Sequence, residues 1–114
     1  MNNTISTTFQ NIKQFVSEFA GVPEISIMMN SGLENDLKIY GDDSFDLIIA
    51  YSKKFNVDIS NFNFKNYIAP EGDTLLPLMV DFFNKSNNKK RIDLKISDLV
   101  DGVILGRLDE TTIK

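Results

Sequence analysis

The chain has 114 residues, 16 acidic and 12 basic side chains, and neither histidine nor cysteine. That length allows one core that buries roughly two-thirds of the unfolded surface, and the missing imidazole and thiol exclude disulfides, thiol nucleophiles, Cys/His zinc sites and imidazole bases. A formal net charge of −4 argues against general nucleic-acid binding, which needs a basic face to displace counterions from phosphates, and suits a protein partner carrying a basic docking patch.

One domain over residues 1–114 is expected. Residues 1–8 are polar and uncharged, with no basic segment and no apolar run, so no secretory leader is expected. No apolar stretch approaches the ~20 residues of a membrane span, and a cytoplasmic location follows as the default expectation.

The first predicted helix covers residues 8–20. Thr7 or Thr8 can cap it, and Phe9, Ile12, Phe15, Val16 and Phe19 recur at the three- and four-residue spacing of one buried face. Gly21 and Pro23 end it, because glycine accepts the left-handed terminal conformation and proline cannot continue the hydrogen-bond ladder. A long ordered connection follows, in which Ile25, Ile27 and Met29 alternate as in a brief extended piece.

A second helix is predicted over residues 42–55. The Asp42 carboxylate can accept backbone N–H bonds at its start, and Asp43 and Asp46 complement the positive end of the helix dipole. Lys53 and Lys54 sit near the other end, where cations are favoured. Leu47, Ile48, Tyr51 and Phe55 form one stripe, with Phe45 and Ile49 on an adjoining face. More than half the circumference is apolar, which implies deep burial or a second contact surface.

The short aromatic segment Phe62, Phe64, Tyr67 closes with the turn residues Pro70, Glu71 and Gly72. A third helix is predicted over 73–85, with Pro77 restricting where it can begin. Lys89, Lys90 and Arg91 read as a solvated basic linker rather than a phosphate site, since nothing aromatic or glycine-rich accompanies them. Ile92, Leu94 and Ile96 alternate as a short strand that can pair with the Ile25 to Met29 segment. Ser97 is placed to cap a last helix over 97–106, with Gly106 near its end. The fold class is therefore all-α.

Leu33-Glu34-Asn35-Asp36-Leu37 followed by Gly41-Asp42-Asp43 and, later, Phe55 and Ile59 resembles the centre of an acyl carrier protein. The pattern extends over about the first half of the chain, from Ser6 to Ile59, and Ile96-Ser97-Asp98-Leu99-Val100 is similar to that family's final helix. The combination of G-D-D in place of the attachment motif, V-D-I-S-x-F-x-F-x-x-Y-x-x-P-E-G from Val57, and I-S-D-L-V-x-G-x-x-x-G-R from Ile96 resembles the small bacterial DUF1493 family, which is acyl-carrier-like and has no assigned activity. The resemblance implies a carrier-like helical bundle; relative to it the helix predicted at 73–85 is an insertion, and the two alternating segments add room for a short two-stranded pairing.

In the carrier register the serine that receives 4′-phosphopantetheine falls on Gly41, which has no nucleophilic oxygen. Ser44, in the carrier-like run Asp43-Ser44-Phe45-Asp46, is the alternative attachment residue, but it requires two compensating three-residue shifts; otherwise it reads as an exposed first-turn serine. Asp42, Asp43 and Asp46 can be metal-binding or catalytic carboxylates, but the EF-hand loop pattern and an activating base are both absent. They can also complement the helix dipole or form a docking face. By the carrier analogy, the expectation is a non-enzymatic interaction module without cofactor. Its partner surface is Asp42, Asp43, Phe45, Asp46 and Ile49, suited to a basic-rimmed enzyme of acyl or lipid metabolism. The alternatives are a carrier modified at Ser44 and a structural or oligomerising domain, in which Phe45 and Ile49 would be buried.

Overall fold

The computed structural model describes residues 2–64 and 93–113. These contain three α-helices, α1 (Asn2–Ala20), α2 (Gly41–Phe55) and α3 (Ile96–Leu105), and one 3-10 turn (Glu24–Ser26). No strand occurs among the described residues, only two isolated β-bridges, so the all-α expectation holds. The predicted helix at 73–85 and the basic run Lys89 to Arg91 lie outside the described residues.

α1 begins earlier than its sequence suggested. Thr7 and Thr8 lie inside the helix rather than capping it, and Thr8 is buried at 8% exposure. The physical reason is its spacing: Thr8 precedes Ile12 by four residues and Phe15 by seven, and so belongs to the same buried face. Gly21 ends the helix as expected, with φ +72° and its N–H on the Ser17 carbonyl at 2.9 Å.

α3 packs along α1. Ile12 and Val16 of α1 and Leu99 and Val100 of α3 are all 0% exposed, and each such side chain contributes about 1.5–3 kcal/mol of burial. α2 joins the same cluster through Leu47, Ile48 and Tyr51. The Tyr51 hydroxyl donates to the Leu99 carbonyl at 2.7 Å, tying α2 to α3 across the core. Burial, and then the nearby charges of Asp101 and Asp98, push the Tyr51 phenol well above its ordinary range. Gly102 makes this approach possible, since a Cβ there would lie 2.3 Å from the tyrosine oxygen.

Ser97 does not cap α3. Lys95 holds that position, and Asp98 reaches back to accept the Lys95 N–H at 2.9 Å, satisfying one of the donors a helix start leaves open. Gly106, at φ +82°, closes the helix and donates to the Gly102 carbonyl.

The expected pairing of the two alternating segments is displaced in register. Residues 24–26 form the 3-10 turn, and Leu94 to Ile96 pair instead with the chain after it. Leu33 donates to the Leu94 carbonyl at 2.8 Å and Ile96 to the Ser31 carbonyl at 3.0 Å, around the antiparallel bridge Gly32 to Lys95. The competing feature is Pro23, whose fixed φ favours a turn at Glu24 to Ser26 over an extended ladder.

Candidate functional site

The loop entering α2 is fastened at several points. The Asp36 carboxylate accepts the Gly32 N–H at 2.7 Å, and the Asp93 carboxylate accepts the N–H groups of Glu34 at 3.0 Å and Asn35 at 3.1 Å. Gly32 leaves the space for Asp93; a Cβ there would stand 2.0 Å from its carboxylate oxygen. Beyond this turn Lys38 adopts φ +60° and Gly41 φ +51°, two left-handed residues that redirect the chain into α2. Tyr40 is the N-cap and provides no side-chain bond, so Asp42 is a first-turn acid rather than the cap.

Ser44 is not an exposed serine. It is 5% exposed, and its hydroxyl donates to the Ile39 carbonyl at 2.9 Å. The signal was present in the sequence: Ser44 precedes Leu47, Ile48 and Tyr51 by three, four and seven residues, the spacing of one helix face. That face is the buried one. Gly41 is buried as well.

Asp42, Phe45, Asp46 and Ile49 follow one another at intervals of three, one and three residues and share the opposite face of α2. Asp43 and Asp46 are exposed, whereas Asp42, Phe45 and Ile49 are half-buried. The Phe45 ring lies 4.8 Å from that of Phe64, which meets the buried Phe62 edge-on at 4.7 Å. Phe45 therefore spends part of its surface on the core side rather than projecting fully outward. One carboxylate oxygen of Asp42, Oδ1, is buried without a hydrogen-bond partner. Among the described residues no three acidic side chains converge as a metal site, and the three aspartates remain a charged edge.

Asp43 also borders a cleft of about 170 Å³ at the junction of α1 and α2, lined by Phe19, Ala20, Leu37, Lys38 and Ile39. The sequence reading missed this cleft, because it is assembled from the end of one helix and the loop before another.

Helical packing and an acidic α2 edge together define a mainly α-helical protein with a charged helix face. The match to the family described as "Protein of unknown function (DUF1493)" covers residues 3–108, and the chain belongs to that family. No curated protein matches the chain. No helix among the described residues is long and apolar enough to cross a membrane.

Proposed function

We propose that this chain is a non-enzymatic, carrier-shaped interaction module that bears no phosphopantetheine arm and docks through α2 on a basic-rimmed protein partner, an enzyme of acyl or lipid metabolism being the kind suggested by the carrier resemblance. The observation that carries the reading is Ser44: its hydroxyl is buried and already committed to the Ile39 carbonyl. A transferase needs an exposed hydroxyl, and presenting this one would require opening the first turn of α2. Gly41, at the position the carrier register assigns to the modified serine, has no hydroxyl and sits at φ +51°, where any side chain is strained. The residues present do not fit attachment of the group at either position.

For docking, the exposed carboxylates Asp43 and Asp46 and the half-exposed Asp42, Phe45 and Ile49 supply a charged rim around a modest apolar patch. Such a rim steers a basic partner and sets its orientation more than it supplies raw affinity. Intact mass after incubation with coenzyme A and a broad-specificity phosphopantetheinyl transferase tests the missing arm: an unmodified mass is expected, and a phosphopantetheine adduct on Ser44 would overturn the reading. Asp46→Lys, at an exposed position, is expected to weaken partner association with unchanged helicity, and unaltered association would remove α2 as the docking face.

A further inference from the structure

The 3-10 turn after α1 holds one apolar side chain in water on a fixed backbone. Ser26 donates its hydroxyl to the Pro23 carbonyl at 2.8 Å and its N–H to the same oxygen at 3.0 Å, and Ile27 donates to Glu24 at 3.0 Å. Ile27, at 1% exposure, anchors the turn in the core. At the tip, Ile25 is 90% exposed and neighbouring Met28 is 58% exposed. Leaving an isoleucine in water forgoes about 1.5–3 kcal/mol of burial. Because the turn is already ordered, inserting that side chain into a pocket costs little further backbone entropy.

A receiving hole lies at the same end of the molecule. The cleft lined by Phe19, Ala20, Leu37, Lys38, Ile39 and Asp43 is about 170 Å³, several times the ~30 Å³ share of a liquid water, and so has room for a four-carbon side chain. Ala20 and Ile25 are five residues apart, so the backbone that carries the knob lies within about 18 Å of the backbone at the cleft wall. The charges around them have mixed sign: Lys38 and Asp43 border the cleft, Glu24 adjoins the knob, and all three are exposed. A surface that carries both a knob and a hole, and both a cation and anions, has what a second copy needs to pair with it reciprocally across a two-fold axis; the same parts joined head to tail would instead build a chain.

We propose that two copies of this chain associate reciprocally through this end, with Ile25 of each copy seated in the cleft of the other and Lys38 of each copy facing Glu24 of the other. One knob and one hole per copy close the pair at two.

Sedimentation equilibrium on the full chain tests this. The mass is expected to rise from that of the monomer toward twice that value as concentration approaches about 1 mM. Ile25→Asp, at a position outside the core, is expected to leave the circular dichroism unchanged and weaken the dimer about tenfold or more. Lys38→Glu is expected to weaken it through like-charge contact with Glu24, and Lys38→Glu combined with Glu24→Lys to restore it. A monomer across the whole range, a mass rising beyond two copies, or undiminished dimerisation of Ile25→Asp would each overturn the proposal. The α2 docking reading is judged separately, by Asp46→Lys and by the intact mass.

Discussion

Replacing Ser44 with alanine separates a structural serine from a chemical one. The substitution removes a 2.9 Å bond from the hydroxyl to the Ile39 carbonyl, and Ile39 is itself only 4% exposed. A buried hydrogen bond contributes about 0.5–1.5 kcal/mol net, and a carbonyl left without its donor costs about 1–3 kcal/mol. The expected loss is therefore about 1–3 kcal/mol, with a fall in Tm of about 4–13 °C for a domain of this size. Urea denaturation monitored by circular dichroism measures it, with Asp46→Ala as an exposed control expected within about 0.5 kcal/mol of the parent. A change below about 0.3 kcal/mol for Ser44→Ala would refute the reasoning, because it would mean that the hydroxyl makes no bond worth breaking and is free for other chemistry.

Tyr51→Phe is expected to destabilise by about 0.5–1.5 kcal/mol through loss of the bond to Leu99. Gly102→Ala is expected to be worse, since the new methyl would meet the tyrosine oxygen at 2.3 Å; adding Tyr51→Phe should relieve it, giving a coupling of about 1 kcal/mol in a double-mutant cycle, and strict additivity would contradict the contact. Gly32→Ala is expected to displace the Asp93 carboxylate and so speed amide hydrogen exchange at Glu34 and Asn35, with unchanged protection refuting the clamp. The Asp109 carboxyl is held below its ordinary value first by the Thr111 hydroxyl, with the Thr111 N–H and the Arg107 guanidinium adding to the effect. A lowered folded value stabilises above the ordinary aspartate value of 3.8 and is lost as pH falls through the folded one. Carboxyl titration by NMR should accordingly show Asp109 titrating later than a free aspartate on acidification, and Thr111→Val should move it back up.

Much of the helical frame was legible because periodicity reports burial directly. Ile12 and Val16, Leu47 and Ile48, and Leu99 and Val100 were readable as core from spacing alone, and all are buried. The helix starts were less legible, since Thr7, Ser97 and Asp42 are each good capping residues and none caps. Their side chains fall inside turns whose start is fixed by other bonds, such as the local capping bond from the Lys95 N–H to Asp98. Ser44 was misread as exposed because its polar chemistry and a family-like neighbourhood outweighed its spacing from Leu47 and Tyr51. The cleft beside Asp43 was out of reach, because no sequence interval reports how Phe19 and Lys38 meet.

The left-handed glycine at the start of α2 also bears on how readily this chain could change. Serine and glycine codons can differ by a single base, so position 41 is one mutational step from a hydroxyl. In conformational terms the step is longer: a serine at φ +51° would carry strain of order 1–2 kcal/mol in a buried position. A lineage acquiring an attachment residue there would first have to rebuild the Lys38 to Gly41 bend, so ease of mutation and ease of accommodation point in opposite directions.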